Sequence, residues 1–422
     1  MIETKIVENV TEAEALVPRW RSLLDRASVP EPVLTPTWLL SWWKVFGSDG
    51  ERGLRLVTMY EGEELVGLVP VLSRRASYRR ALPFRRLELV GTGEDEADEI
   101  CSDYVGVLAS KGREESVTQS FVEAVLGGAL GAWDELVMPT MNGEDPTAAA
   151  LARAFESGGA RAVTTPAGQC PYVTLPDTWD AYLKELDSSR RYTVTRTMRD
   201  LDKWAGPGGY ELKRASNDAE LAEGRKILHE LHGERWGEEG HSGVFASEKF
   251  TRFHDRVMPE LLRGVDGSLD LLWLTVKGDP IAAAYNIIYG NKVYFYQSGR
   301  KVDLPKGVRP GIAIHVLAMK RSIELHHREY DFLNGASQYK RTLCLATRPL
   351  VTVRATAPTL RARALEAARM GAEGAITRLK QLRDAARERG KKADPKAPHA
   401  EQAPQKKKGA GSSEPAPAED AS

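Results

Sequence analysis

This sequence has few cysteines, no net charge and no long apolar segment, and each absence narrows the classes of protein it fits. Its three cysteines, Cys101, Cys170 and Cys344, lie far apart, so they form neither a disulfide framework nor the close pair of a zinc site. This usage favours a reducing compartment. No apolar run reaches the ~18 residues of a membrane span, and the N-terminus does not resemble a signal peptide. We therefore predict a cytoplasmic protein without a transmembrane segment.

The charge balance argues against binding to nucleic acid through bulk charge. Lys and Arg number 59, as do Asp and Glu, so only local basic patches remain available for polyanions. The sequence also lacks a Walker loop and a GxGxxG motif. What it does have is 422 residues with 42% hydrophobic side chains, which predicts a large core and two or three domains.

The most informative stretch is 269–345. Its pattern predicts three strands, a loop rich in glycine and basic residues, a helix over about 312–327, one more strand and a polar hairpin. A helix start offers unpaired N–H groups, and glycines let an anion approach them. The junction therefore predicts a phosphate site, and its alternative is an ordinary loop. The candidate anion-binding residues are Gly307, Val308, Arg309, Gly311 and Ile312.

Two features of the first half could serve a substrate. An aromatic-rich helix over 37–46 puts Trp42 on a stripe that is either core or a wall for a sugar or acyl chain. A strongly acidic segment, 91–103, contains Asp95, Asp98 and Asp103, which could bind a metal or act as a base. Its spacing does not match an EF-hand loop, so we favour an acidic loop that covers a pocket.

Basic residues cluster in two places. Six arginines crowd the segment 74–86, which we predict to be a loop. Arg196, Arg199 and Lys203 share one face of a predicted helix. Each cluster is either solvated surface charge or a clamp for a phosphorylated substrate. The histidines near residue 230 lack the HExxH arrangement, so we predict no metal.

The two halves of the chain share one plan. Segments 54–72 and 269–290 each predict a strand, a glycine-containing turn and an apolar strand, which indicates duplication. We predict a first domain at 1–176 and a second at 177–357. A helical extension at 358–392 and a disordered tail at 393–422, rich in Pro, Ala, Lys and Glu, would follow.

At this point the sequence resembles a known family. The segments GDPIAAAYNIIYGNKVYFYQSG and EYDFLNGASQYKRTL resemble the GNAT superfamily. The resemblance extends to the CelD/BcsL-type acetyltransferases of polysaccharide biosynthesis and to the FemAB aminoacyltransferases. It implies an α/β fold of α+β type with mixed sheets, in tandem GNAT-like domains. It also implies acetyl-CoA or another acyl-CoA as co-substrate, bound at 307–312, although KGVRPGIA departs from the usual glycine spacing.

The same resemblance suggests roles for residues near the phosphate loop. Asp331 is the expected base, Tyr339 a general acid, and Lys340 resembles the Fem-type lysine near the reacting carbonyl. Tyr296 and Gln297, at the end of the third strand, are expected to contact substrate together with Trp42, Arg196 and Arg199.

Three functions remain open from the sequence. The first is acyl transfer from acyl-CoA to an amine or hydroxyl of a sugar or small molecule. The second is Fem-like transfer from aminoacyl-tRNA, which would use the basic clusters. The third is a non-catalytic scaffold in a polysaccharide-synthesis complex. The acceptor and the oligomeric state stay open.

Overall fold

The computed structural model describes residues 2–78, 82–238, 240, 243–335 and 337–371. Residues 1–366 form one compact unit. No helix among the described residues is long and apolar enough to cross a membrane. The predicted tail at 393–422 and the greater part of the predicted helical extension lie outside the described residues.

One mixed sheet of thirteen strands, drawn from the described residues, runs through the unit. Its strands are β1 (Ile2–Val7), β2 (Gly53–Glu61), β3 (Glu64–Tyr78), β4 (Leu82–Leu89), β5 (Leu108–Ala109), β6 (Glu135–Asn142), β7 (Arg161–Thr174), β8 (Tyr210–Arg214), β9 (Ser268–Val276), β10 (Asp279–Tyr289), β11 (Lys292–Arg300), β12 (Glu329–Asp331) and β13 (Ala346–Thr356).

Helices cover both faces of this sheet. They are α1 (Val10–Ala15), α2 (Val17–Arg26), α3 (Pro36–Phe46), α4 (Glu114–Leu126), α5 (Pro146–Ser157), α6 (Trp179–Glu185), α7 (Ser188–Ala205), α8 (Asp218–Glu238), α9 (Glu248–Leu262), α10 (Pro310–Glu324) and α11 (Gln338–Leu343). Successive residues of β9 explain the two layers. Leu271 and Trp273 enter one apolar cluster, and Leu272 and Leu274 enter the other, because side chains alternate across a strand.

The two halves repeat one strand plan and exchange their last strands. In the first half β2, β3 and β4 are antiparallel and β6 then pairs parallel to β4. In the second half β9, β10 and β11 are antiparallel and β12 pairs parallel to β11. The strand β7 then pairs with β12, while β13 pairs with β6 and β7. The predicted mixed α/β fold is therefore confirmed, whereas the boundary at residue 176 stays a prediction.

Two local expectations were wrong, and the ends of one predicted helix differ from those observed. The segment predicted as a polar hairpin contains the helix α11, which buries Lys340 and Leu343 on one side. The basic segment 74–86 is largely strand, because its described residues belong to the paired strands β3 and β4. The predicted helix over about 312–327 begins earlier, at Pro310, and ends at Glu324.

Candidate functional site

A basic cavity lies where β11 ends and α10 begins. Its volume is about 680 Å³, and it is lined by Arg300 of β11 and by Val308, Arg309, Gly311 and Ile312. The helix α10 starts at Pro310 and has no side-chain cap. The first N–H groups of a helix lack intrahelical acceptors and carry partial positive charge. In α10, Pro310 has no N–H, and the N–H groups of Ile312 and Ala313 donate to the Arg309 carbonyl oxygen, which leaves the Gly311 N–H as the backbone donor. The cavity thus combines this N–H with the guanidinium groups of Arg235, Arg300 and Arg309, which suits a phosphate.

The two glycines of this junction differ in whether the local structure requires a glycine. Gly307 adopts a φ of 102°, a backbone conformation that favours glycine. At Gly311 an added Cβ would lie 3.4 Å from Cδ of Arg300, which is an ordinary contact, so packing leaves room for a small side chain there. Four of the five predicted anion-binding residues line the cavity. Gly307 does not, and lies beside Asp200 of α7.

An acidic cavity of about 600 Å³ adjoins the basic one. Glu94, Glu99 and Asp103 line it from the first half of the chain, while Asn334 and Lys340 line it from the second. The predicted acidic loop therefore does cover a pocket. The predicted substrate residues Tyr296 and Gln297 line this cavity as well.

Asp103 is the most distinctive carboxylate of the acidic cavity. Its side chain is buried, and its Oδ2 accepts a hydrogen bond of 2.9 Å from the backbone N–H of Asn334. Burial raises the pKa of Asp103 to about 7, although the Asn334 bond and the Lys340 charge oppose that rise. A carboxyl group with that pKa can exchange a proton near neutral pH.

Lys340 lies close to Asp103 and supports the same loop. Its Nζ donates to the carbonyl oxygens of Leu333 at 3.2 Å and of Asn334 at 2.5 Å. Burial lowers the pKa of Lys340, and the nearby Asp103 opposes that change. The lysine therefore fixes the backbone segment whose N–H group binds the Asp103 carboxylate.

Tyr339 stands between the two cavities. It lines both, as do Arg235 and Ser298, so the cavities meet at these three residues. The Tyr339 ring stacks on His315 with 5.1 Å between ring centroids. Burial raises the pKa of Tyr339 to about 12, so its hydroxyl keeps its proton at neutral pH.

Asp331 has a different environment from that expected of an accessible base. It is fully buried and lines neither cavity. Its carboxylate accepts hydrogen bonds from the Tyr104 hydroxyl at 2.8 Å, the Arg348 guanidinium at 2.8 Å and the Leu333 N–H at 2.7 Å. Burial raises the pKa of Asp331 to about 6, and these partners counter the effect. Such contacts favour a role in holding the two halves together.

Trp42 lies behind the acidic cavity and does not line it. The residue is fully buried, stacks on Phe46 and donates its indole N–H to Glu94. It can thus influence substrate only through Glu94. Burial raises the pKa of Glu94 to about 7, and the Trp42 hydrogen bond opposes that rise.

The basic clusters differ in how far their charges are compensated. In the segment 74–86, Arg74 pairs with Glu88, Arg85 with Asp134 and Arg86 with Glu135, which leaves little free charge there. Arg79 and Arg80 lie outside the described residues.

The second cluster lies on α7 and lines neither cavity. Arg196 pairs with Asp200 of the same helix and donates to the Tyr192 hydroxyl. Arg199 is exposed. Both arginines therefore remain predictions as substrate contacts.

No group of three or more metal-binding side chains occurs among the residues that the structure describes. His232 is buried, and its Nδ1 lies 2.9 Å from the carbonyl oxygen of Ser298. Burial lowers the pKa of His232 to about 4, and the contact indicates a packing role. His241 lies outside the described residues.

Sequence reasoning missed Glu94, Arg235, Ser298 and His315 as cavity residues. Ser298 follows directly on the predicted pair Tyr296 and Gln297, so continuing along β11 would have found it. His315 lies one turn beyond Gly311 on α10, and the helical repeat could have suggested it.

Comparison with known proteins finds one matching family model and solved structures of similar fold. Residues 188–341 match a family model described as an acetyltransferase (GNAT) domain. This segment of the chain is therefore similar to a GNAT-type acyltransferase domain. The match runs from the start of α7 into α11 and contains every residue that lines the basic cavity except Thr342. No curated protein sequence matches the chain.

Two solved structures share the fold of this chain. FemX is 11% identical with a TM-score of 0.56, and the match covers 83% of this chain and 96% of FemX. A conserved protein of unknown function from Bacteroides thetaiotaomicron VPI-5482 is 11% identical with a TM-score of 0.51, covering 85% of this chain and 100% of that protein. At such identity the likeness shows the fold alone.

Proposed function

We propose that this protein transfers an acyl group, in the first instance acetyl, from acyl-CoA to an amine or hydroxyl of a sugar or small molecule. The observation that carries the proposal is the pair of adjoining cavities, one basic and one acidic, which share Arg235, Ser298 and Tyr339. A donor with phosphates suits the first cavity and a nucleophile that must lose a proton suits the second. The link to polysaccharide synthesis and the CelD/BcsL branch rest on the sequence resemblance alone.

The basic cavity fits the donor by its chemistry. The N–H group of Gly311 and the side chains of Arg300 and Arg309 would hold the pyrophosphate. The remainder of the donor would then extend along the cavity toward Tyr339. The co-substrate would thus end where the two cavities meet.

Proton transfer completes the step. The acceptor nitrogen or oxygen attacks the thioester carbonyl, a bond to carbon forms, and the bond between carbon and sulfur breaks. Asp103 takes the proton from the nucleophile, because its pKa of about 7 leaves a useful fraction ionised. Tyr339 can return a proton to the leaving thiolate, since burial keeps its hydroxyl protonated. We favour Asp103 over the predicted Asp331 as the base because Asp103 lines the cavity.

Lys340 supports this step by position and charge. Its Nζ holds the carbonyl oxygens of Leu333 and Asn334, and its positive charge favours the ionised form of Asp103. A Lys340→Ala variant should therefore fold yet lose activity, which would also disfavour a scaffold without catalysis.

Calorimetric titration with CoA and acetyl-CoA tests the proposal. We expect saturable binding at micromolar to low millimolar ligand, followed by release of free thiol when amines are supplied. Failure to bind either ligand at several millimolar would remove acyl-CoA as the donor.

Transfer from aminoacyl-tRNA is the second candidate, and it is favoured by the shared fold of FemX together with the exposed cations of α7. Thr193 of α7 lines the basic cavity, so a polyanion on α7 would lie beside the donor site. We expect salt-dependent tRNA binding that weakens in an Arg196→Ala, Arg199→Ala double variant. The absence of binding at low salt would exclude this candidate.

A further inference from the structure

A buried histidine faces the donor site with one ring nitrogen unused. His315 lies in the second turn of α10, is 1% exposed, and lines the basic cavity. One ring face stacks on Tyr339. Its Nδ1 lies 3.1 Å from the Tyr330 hydroxyl, and Nε2 has no hydrogen-bond partner among the described residues.

A chain of buried hydrogen bonds determines which nitrogen of His315 carries the proton. Asp270 pairs with Arg214 and accepts from the amide N–H of Asn286 at 3.2 Å. This contact leaves the amide oxygen of Asn286 to accept from the Tyr330 hydroxyl at 3.3 Å. The Tyr330 oxygen must then act as acceptor toward His315, so Nδ1 of His315 bears the hydrogen.

The remaining nitrogen is therefore a lone-pair acceptor. Burial lowers the pKa of His315 to about 3, so the ring is neutral and Nε2 carries no hydrogen once Nδ1 does. The charged side chains that line the basic cavity, Arg235, Arg300 and Arg309, are all hydrogen-bond donors. His315 is thus an acceptor among donors, and a phosphate oxygen would be repelled by it.

We propose that Nε2 of His315 accepts a hydrogen bond from an amide N–H in the pantetheine arm of the acyl donor. The inference rests on the proposed function, because it presumes that acyl-CoA occupies the basic cavity. His315 lies four residues after Gly311, which is about 6 Å along the helix from the phosphate site. The arm passes this depth on its way from the pyrophosphate to Tyr339, and its amides are the groups there that can donate.

The test compares CoA with an analogue in which an ester oxygen replaces the amide N–H nearest the thiol. A second analogue carries the same replacement at the other amide. Calorimetry on the full chain should show that wild-type protein binds CoA about fivefold to tenfold more tightly than one of the two analogues, as expected for one lost hydrogen bond. Equal affinity for all three ligands would overturn the inference.

Variants assign that preference to His315. His315→Phe keeps the stacking on Tyr339 and should bind CoA and the discriminated analogue equally, whereas His315→Gln retains an acceptor and should restore part of the preference. Tyr330→Phe leaves the ring in place but frees its tautomer, and should reduce the preference. If His315→Phe instead weakens all ligands by one factor, the inference fails while the proposed function stands. If wild-type protein binds no CoA, the proposed function fails and the inference with it.

Discussion

The basic and acidic cavities differ in how the chain builds them. The basic cavity draws most of its lining from one continuous stretch, from the end of β11 through the first turns of α10. The acidic cavity needs the loop at 91–103 from the first half and the segment 332–340 from the second. The first is a local product of sequence, and the second exists only when the two halves are joined.

The network around Arg348 shows what that joining requires. Arg348 of β13 pairs with Asp331 and Glu329 of β12, and Asp331 also binds Tyr104. Tyr104 directly follows Asp103, so the network holds the proposed base against Asn334 and Lys340. Donor binding should therefore tolerate changes that abolish acceptor chemistry.

The largest expected effect is on Asp103. Asp103→Asn removes the proposed base, so turnover should fall about a hundredfold to ten-thousandfold while CoA affinity stays within about twofold. In wild-type protein the rate should rise as pH increases through about 7, because Asp103 must lose its proton to act. Initial rates of thiol release with a panel of amines, at pH 5.5 to 9, measure both effects.

A matched control lies on the same acidic loop. Asp95 is exposed and lines neither cavity, so Asp95→Asn should keep both rate and pH profile. Loss of activity in Asp95→Asn equal to that in Asp103→Asn would mean that loop charge, and not a specific base, matters.

Arg348→Met should lower the free energy of unfolding. The expected loss is comparable in kcal/mol to the rise in activation free energy expected for Asp103→Asn. The substitution leaves Glu329 paired with Lys292 alone and removes the cation that pairs with the fully buried Asp331. Removing one partner of a buried ion pair destabilises by about 3–5 kcal/mol. Urea unfolding monitored by tryptophan fluorescence gives the free energy of unfolding. A triple variant that adds Glu329→Gln and Asp331→Asn should recover part of the loss. A single variant as stable as wild type would refute the role of this network.

Arg309→Ala should weaken the donor site alone. Loss of a charge-assisted contact to phosphate should reduce CoA affinity roughly tenfold, and less so at high salt. Lys306 is the control, since this exposed cation of the same loop does not line the cavity. If calorimetry shows that Lys306→Ala and Arg309→Ala lose the same CoA affinity, the loop attracts the donor by general charge and has no specific phosphate site.

The smallest expected effect is on α7. Arg196 is exposed and paired within its own helix, so Arg196→Ala should change stability by less than about 0.5 kcal/mol and leave CoA affinity unchanged. Titration with CoA and thermal unfolding of the same sample check this expectation. A clear loss of CoA affinity would mean that Arg196 itself contacts the donor.

The success of the sequence-based predictions depends on the same contrast. Features formed within one stretch of chain were predicted better than features that need both halves. The predicted helix over 37–46 corresponds to α3, and the strand pairs predicted in 54–72 and 269–290 correspond to β2 with β3 and β9 with β10, because short-range patterns determine such elements. Glycines and basic residues next to a helix start likewise revealed most of the basic cavity. The prediction of a polar hairpin over 335–345 was wrong. Its Gly, Ser and Gln residues suggested a turn, whereas tertiary burial of Lys340 and Leu343 stabilises the helix α11.

The acidic cavity could be predicted only in part. The carboxylates of 91–103 were visible as a cluster, but no local pattern separates buried Asp103 from exposed Asp95. That difference arises from the exchange of β7 and β13 between the halves, which brings β12 and the 332–340 segment close to Asp103. Strand pairings between residues so distant in sequence leave no periodic signal in the sequence. The side-chain contacts that such pairings create leave none either.

A crystal structure of the protein with CoA tests the central claim most directly. The two-cavity account predicts the pyrophosphate against the first turn of α10 near Gly311 and Arg309, with the sulfur beside Tyr339 at the entrance to the acidic cavity. A pyrophosphate bound elsewhere, or a thiol directed away from Asp103 and Lys340, would contradict it.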